Sequence, residues 1–520
     1  MKKSRRMRWA ARALALCLTG ATAFAGAALF SPVTAEADSI IDGQTTTGSI
    51  TINKKAQDGS TPLEGVEYTI YQVMNLTPGS TPGTYAKYQP TTDFAEILDG
   101  VTPDALGNYS AQELEELIGE LADAAATPAA DPQETNASGQ AVFNSLPLGY
   151  YLVVETQAPE GYVTGSPFLI AVPSTNNYDG TGDGTAWVYD VTATPKNEQI
   201  SISKELADEE EGAEQDGTVA VGDIVKYQIT TVIPSYPEEY FDQEVTFEIT
   251  DVMSDGLKIL NEDPNLVKVT VDSTEETAGA GTYTLTAEPK TGEEADLTIA
   301  FAKEYIRDHG GKEVVVTYYA EVTEAAVSGK DGNTNGVTLT YNNEPGTTKK
   351  ATPPTPVKVY SFDLQVEKFT EEDGTKALEG ATFELYADDQ MTNKIGEGTT
   401  NGEGSLAFEL LDEGTYYLKE TKAPAGYTLL ADPIKVEITA ADPADGTFTL
   451  KVNGQDVDET SGTYVSRIDA ENGTAIIAVK NHKGFTLPTT GGMGIALFVI
   501  IGIAGIAAVS IVITRKTKKN

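Results

Sequence analysis

Three lysines, three carboxyl groups and three asparagines recur at matching places along this chain, and together they have the chemistry to make amide bonds. Lys54 continues the alternation of Ile50 and Ile52, Lys204 that of Ile200 and Ile202, and Lys368 that of Leu364 and Val366. Asn197 closes the series Val191, Ala193, Pro195; Asn343 closes Val337, Leu339, Tyr341; Asn481 closes Ile477 and Val479. Glu155 follows Tyr151 and Val153, Asp251 follows Phe247 and Ile249, and Glu420 follows Tyr416 and Leu418. Successive side chains of a strand leave opposite faces, so period two sends every one of these polar groups to the apolar side. Burying a lone lysine or carboxyl group is costly. Desolvation lowers the lysine pKa and raises that of the acid, which yields a neutral amine beside a protonated carboxyl. Such an amine can attack the asparagine carboxamide while the acid polarises it and carries the proton, leaving a Lys–Asn amide and ammonia. Lys55 or Asn53 leaves a second register open in the first set. The competing reading has the lysines in water and the asparagines in turns, and the threefold repetition of one parity pattern weighs against it.

The elements that must hold these groups are short strands. Segments such as "SITINK", "YYLVVE", "EVTFEITD", "EVVVTYYAEV", "FDLQVEK" and "TAIIAVKN" alternate between Gly, Pro, Asn and Asp turns, which predicts an all-β chain of immunoglobulin-like sandwiches. One helix is expected over 110–126, where Leu114, Leu117, Ile118 and Leu121 fall at helical spacing behind Ser110 and Glu113. "PLEGVEYTIY" resembles "ALEGATFELY", and "GYYLVVETQAPEGY" resembles "TYYLKETKAPAGY", so the first and third domains are related. Three tandem sandwiches in a rod are predicted, over 38–198, 199–357 and 358–486, with the helix inserted in the first. The proline-rich "ATPPTPVKVY" reads as a stiff connector between the last two.

Both ends carry targeting signals. Basic residues from Lys2 to Arg12, an apolar stretch from Ala13 to Phe30 and small residues at Ala35-Glu36-Ala37 read as a secretory signal peptide over 1–37. Met493 to Thr514 is apolar enough to span a bilayer, and Arg515, Lys516, Lys518 and Lys519 follow it over the closing part of 487–520. Just before it, Leu487-Pro488-Thr489-Thr490-Gly491 resembles the LPXTG sorting signal cleaved by sortases of Gram-positive bacteria. The chain has 78 acidic and 36 basic residues, a formal net charge of −42, which disfavours nucleic acid and anionic lipid as partners. The only cysteine, Cys17, falls in the signal peptide, and His309 and His482 are the only histidines, so nucleophilic or histidine-based enzyme chemistry has little to work with. "DGNTNG" from Asp331 imitates the start of a calcium loop, but its twelfth position is Asn342 rather than glutamate, so neither metal nor cofactor is expected.

Two further motifs carry a family resemblance across the whole chain. "YYLKETKAPAGY" and "YLVVETQAPEGY" resemble the E-box, and "WVYDVTATPK" resembles the pilin motif WxxxVxVxPK with Ala193 for the second valine. With the sorting signal they are similar to those of sortase-assembled backbone pilins built of collagen-adhesin B-type domains. The resemblance implies that Lys196 is the intersubunit lysine, accepting the acyl group of Thr490 from another copy. It implies that Glu155 and Glu420 promote internal bonds, and that Lys204, Asp251 and Asn343 form the middle one. Parity then has Asn197 face inward, toward Lys54, and Lys196 outward. The implied partners are pilin-class and housekeeping sortases, further copies of the chain, ancillary pilins, peptidoglycan and host surface ligands. The implied setting is a secreted, wall-anchored pilus whose precursor is held in the membrane, and the protein is a substrate rather than an enzyme. A wall-anchored adhesin that never polymerises, or a tip or base pilin, shares the sorting signal and E-boxes; the motif around Lys196 separates it from a shaft subunit.

Overall fold

The computed structural model describes residues 45–484, except 78–86, 107, 126, 177–185, 208–216, 293, 344–345, 347–348, 372–375, 443–444 and 458–463. The signal peptide expected over 1–37, the sorting motif Leu487 to Gly491 and the apolar stretch Met493 to Thr514 lie outside the described residues. Among the described residues no helix is long and apolar enough to cross a membrane.

Alternating burial builds three sandwiches in sequence. In the first, the opening strand Thr47–Asn53 buries Ile50 and Ile52. It runs parallel to Asp190–Ala193, with Ile50 opposite Val191 and Ile52 opposite Ala193, and antiparallel to Gln140–Pro147 on its other side. The facing sheet carries Glu67–Thr77, Gly149–Gln157 and Phe168–Val172. Every residue of Phe168–Val172 is buried, the pattern of a strand covered on both faces. The cover is the expected helix, Ala111–Asp123, which lays Leu114, Leu117 and Leu121 against Val73, Met74, Tyr150, Leu152 and Leu169. Ser110 caps it reciprocally: its side chain accepts from the Glu113 amide, and the Glu113 carboxylate accepts from the Ser110 amide.

The third sandwich repeats the first. Phe362–Thr370 pairs parallel with Thr474–Asn481 and antiparallel with Ser405–Leu411. Thr382–Tyr386, Gly414–Lys422 and Ile434–Asp442 face it. The middle sandwich is wired differently. Ile202–Leu206 joins Ile224–Val232 and Glu313–Val322 in one sheet, while Phe247–Met253 and Asn333–Tyr341 lie in the other. Opening and closing strands are therefore neighbours in one sheet in the outer sandwiches, and lie in facing sheets in the middle one.

The segment expected to be a connector turns out to belong to the middle sandwich. Thr355–Val359 is a strand pairing with Asn333–Tyr341, and Val359 lies in that sandwich's core. Pro356 is tolerated because this strand is paired along Asn333–Tyr341 alone. The junctions are packed. Val163, from the loop after the first E-box, sits in the middle core, and the Gly161 amide donates to the Tyr341 hydroxyl at 2.8 Å. At the next junction Gly329 and Gly473, both at positive φ, bring their backbones so close that a Cβ on either would lie within 2.5 Å of the other side.

Leu121 is fully buried under the helix. Leu121→Ala is expected to lower the unfolding free energy of the first domain by about 2–5 kcal/mol, measured by denaturant titration of the otherwise intact protein.

Candidate functional site

Each sandwich buries a lysine beside a carboxyl group. In the first, Lys54 lies just past its strand, where the chain continues into Lys55–Ala56, and is 0% exposed. The parallel pair Lys196–Asn197 and Lys55–Ala56 sets Lys196 beside Lys55 and Asn197 beside Ala56. One register thus turns Lys54, Ala56 and Asn197 inward together and leaves Lys196 exposed. Lys55 and Asn53, the open alternatives, are only half-buried and stay off this cluster. Glu155 comes from the facing sheet and holds both partners: Lys54 Nζ donates to its Oε2 at 2.6 Å and Asn197 Nδ2 to its Oε1 at 2.5 Å. The Tyr68 hydroxyl, directly across the ladder, adds a bond to Oε2 at 3.2 Å. The Asn197 carbonyl oxygen has no hydrogen-bond partner among the described residues. Gly165 closes over the cluster, where a Cβ would lie 3.3 Å from both Asn197 Oδ1 and Glu155 Oε2. Burial pushes the Lys54 amine below its ordinary pKa, with Glu155 pulling it back.

The third sandwich uses the same register two residues on, with Lys368 opposite Val479 and Thr370 opposite Asn481. Here the amine already rests on the carboxamide: Lys368 Nζ donates to Asn481 Oδ1 at 2.7 Å and to the Val479 carbonyl at 3.1 Å. Asn481 Nδ2 donates to Glu420 Oε1 at 2.8 Å, and the Leu430 amide donates to Glu420 Oε2 at 2.8 Å. Lys368 and Glu420 stand 3.9 Å apart. Phe383 faces Glu420 where Tyr68 faces Glu155, so this acid receives no phenol bond. Burial lowers the Lys368 pKa to about 8.

The middle cluster corrects one expectation. Lys204 Nζ meets Asp251 Oδ2 at 2.5 Å, beside the stacked rings of Tyr227 and Tyr318 at 5.0 and 5.5 Å. Burial brings the Lys204 pKa to about 8 and pushes that of Asp251 up, so both drift toward their neutral forms. Asn343, however, does not reach this pair. Asp251 stands opposite Val337, which leaves Asn343 six residues further along the strand, about 20 Å away. It serves the junction instead, with Nδ2 donating to the Ala158 carbonyl of the first domain at 3.2 Å. The asparagine at the right level is Asn335, opposite Met253 and on the inward face, 0% exposed. Its Nδ2 donates to the Tyr318 hydroxyl at 3.1 Å, and its carbonyl oxygen has no partner among the described residues. Asn335, Val337, Leu339, Tyr341 and Asn343 all share one parity, so alternation could not choose between the two asparagines. Register against Asp251 does. What the three arrangements can do is join an amine to a carboxamide in a water-poor interior, with an acid in contact to move protons.

The other singled-out residues fall away from these clusters. Asn333 of "DGNTNG" exchanges side-chain bonds with Val327, and the Asp331 carbonyl accepts from Lys358. His309 stacks on Tyr305 at 3.8 Å, and His482 pairs with Glu371.

Comparison with known proteins agrees with this architecture. The family model described as a SpaA prealbumin-like fold domain matches residues 48–183 and 362–456, the two sandwiches built alike. That described as Gram-positive pilin backbone subunit 2, Cna-B-like domain, matches 221–345. The chain belongs to the Gram-positive backbone pilins. The pilin is 27% identical over 457 residues to fimbrial subunit type 2 of Actinomyces naeslundii, covering 74% of this chain and 78% of that one. It is 25% identical over 452 residues to the trypsin-resistant surface T6 protein of Streptococcus pyogenes serotype M6, covering 73% and 81%. The solved T6 backbone pilin, a modular three-domain structure, matches with a TM-score of 0.55 at 18% identity, over 85% of this chain and 99% of that chain. At that identity the likeness is one of fold.

The free amine of the third cluster gives a pH signature in a pilin that cannot react there, such as Asn481→Ala. The folded Lys368 pKa of about 8 lies below the ordinary value of about 10.4. Between the two, the unfolded chain binds more protons than the folded one. Stability of the third domain should therefore rise with pH from about 8 to about 10.4 and show no lysine-linked slope below 8. Denaturation midpoints across that window test the sign.

Proposed function

We propose that this pilin is the shaft subunit of a covalent surface fibre, and that its buried clusters become the internal bonds Lys54–Asn197, Lys204–Asn335 and Lys368–Asn481. The observation that carries the first part is the adjacency of exposed Lys196 and buried Asn197 in one short strand. The same strand can thereby complete its own sandwich and offer an amine to another molecule. In the reaction, a pilin-class sortase cleaves between Thr490 and Gly491 and holds Thr490 as a thioester. The Lys196 amine of another copy attacks the thioester carbonyl, the C–S bond breaks, and the sortase thiol leaves with the proton from lysine. The nucleophilic catalysis belongs to the sortase and the pilin is its substrate. Transfer of the last subunit to a peptidoglycan precursor by a housekeeping sortase would anchor the fibre to the wall, where ancillary pilins and host ligands meet it. A wall-anchored adhesin that never polymerises would give the exposed lysine of the pilin motif no partner.

Support for the internal bonds lies in the contacts: amine, acid and carboxamide are in contact and buried in the outer sandwiches, and in the middle one Lys204 meets Asp251 while the buried Asn335 reaches Tyr318. Glu155, Asp251 and Glu420 are the promoting acids, and the bonds close loops of roughly 110 to 145 residues, worth about 4–5 kcal/mol each by the chain-entropy model for crosslinks.

Expressed with its sortase, wild-type pilin should form a high-mass ladder and Lys196→Ala only monomer, with the internal bonds of the variant unchanged. A ladder in the variant would remove Lys196 from its role. Intact mass of the isolated protein should be short of the sequence mass by three ammonia molecules, with crosslinked peptides at the three pairs named; a Lys204–Asn343 peptide would overturn the middle assignment.

A further inference from the structure

In the outer sandwiches the acid touches the leaving nitrogen directly: Asn197 Nδ2 lies 2.5 Å from Glu155 and Asn481 Nδ2 lies 2.8 Å from Glu420. The middle sandwich has an aspartate, one methylene shorter. Its Oδ2 is occupied by Lys204, and its Oδ1 has no hydrogen-bond partner among the described residues. The nitrogen of Asn335 instead donates to the Tyr318 hydroxyl at 3.1 Å. Tyr318 is 0% exposed and lies close enough to Asp251 for its hydroxyl to favour the ionised carboxylate. One phenol therefore bonds the amide nitrogen while its hydroxyl also acts on the acid, which is one methylene shorter than the glutamate of the outer sandwiches.

We propose that Tyr318 is a catalytic residue of the middle domain, its hydroxyl passing a proton from Asp251 to the Asn335 nitrogen that departs as ammonia. The inference rests on the internal-bond reading above. In the step, the neutral Lys204 amine attacks the Asn335 side-chain carbonyl carbon. Tyr318 gives its proton to the amide nitrogen and regains one from protonated Asp251. The C–N bond of the carboxamide breaks, ammonia leaves, and Asp251 takes the surplus proton from the lysine nitrogen. Acid and phenol end as they began, and one lysine proton has moved to ammonia. General acid transfer of this kind contributes about a hundredfold or more.

The test follows bond formation in full-length chains made by cell-free translation, quenched at intervals, digested and read by tandem mass spectrometry. Tyr318→Phe should slow the Lys204–Asn335 crosslink by about a hundredfold, while Lys54–Asn197 and Lys368–Asn481 form at the wild-type rate. Tyr227→Phe removes the other buried hydroxyl of the cluster and should leave the middle crosslink intact. Asp251→Glu combined with Tyr318→Phe should recover part of the rate, because the longer acid reaches the nitrogen itself. A middle crosslink forming in Tyr318→Phe at the wild-type rate, loss in Tyr227→Phe instead, or no recovery in the double variant overturns the relay. Absence of the Lys204–Asn335 crosslink from wild type would instead defeat the internal-bond reading.

Discussion

The structure depends on a lysine taken out of water three times over. A buried ammonium is tolerable only beside a carboxylate with good geometry, and even then the pair does little more than break even against desolvation. The clusters here hold that balance at short range, with Lys54 and Lys204 within 2.6 Å of an acid and Lys368 within 2.7 Å of a carboxamide. Amide formation changes the balance. As proposed, it would replace an ammonium, or the amine it becomes, by a neutral group with a single N–H and release the asparagine nitrogen as ammonia, while the carbonyl oxygen stays in place. If the proposed bonds form, the cost of burying charge favours the reacted interior.

The second constraint is the pleat. A regular strand alternates faces, so the short strand Lys196–Asn197 sends one to the core and the other to solvent. The neighbouring ladder agrees, since Lys55 and Ala56 divide in the same way. The two roles proposed for this strand, toward the protein's own core and toward another molecule, are thus separated by one peptide unit, with no loop or domain between them. The exposed amine stays open to solvent, while the buried carboxamide is held against Glu155 and out of water.

Much of this was legible in the sequence, for local reasons. Parity located Lys54, Lys204, Lys368, Glu155, Asp251 and Glu420 on inward faces; Ser110 and Glu113 announced the helix; the repeated E-box paired the outer sandwiches. What escaped was non-local. Asn335 and Asn343 satisfy the same alternation, and only the ladder that sets Asp251 opposite Val337 separates them. The proline-rich stretch before Val359 looked like a connector because proline argues against central strands, yet an edge position accepts it. Tyr318 carried no signal at all, since a tyrosine on an alternating apolar strand is ordinary core until its hydroxyl is seen against Asn335.

The placement of Asn335 also changes how the middle domain would carry load. In the outer sandwiches the proposed pair brackets nearly the whole domain: Lys54 lies just after the opening strand and Lys368 near the end of one, with Asn197 and Asn481 on closing strands that run parallel to them. With the proposed bond formed, tension entering at Lys368 can leave at Asn481 without breaking a ladder. In the middle sandwich Asn335 sits near the start of its strand, and residues 336–359 lie beyond it on the way to the third domain. Its described residues are held without a covalent bracket, by core packing of Val337, Leu339, Tyr341 and Val359 and by hydrogen bonds: Asn335 opposite Val357 and Asn333 opposite Val359 in the returning strand, and the Tyr360 carbonyl against the Val219 amide. An antiparallel ladder pulled along its strands loads several bonds in shear at once, which suits it to bear force where no covalent bracket does. If Asn343 had been the reactive partner, eight more residues would lie inside the closed loop. Its place is instead at the junction, bonded to the Ala158 carbonyl, where it stiffens the seam between domains.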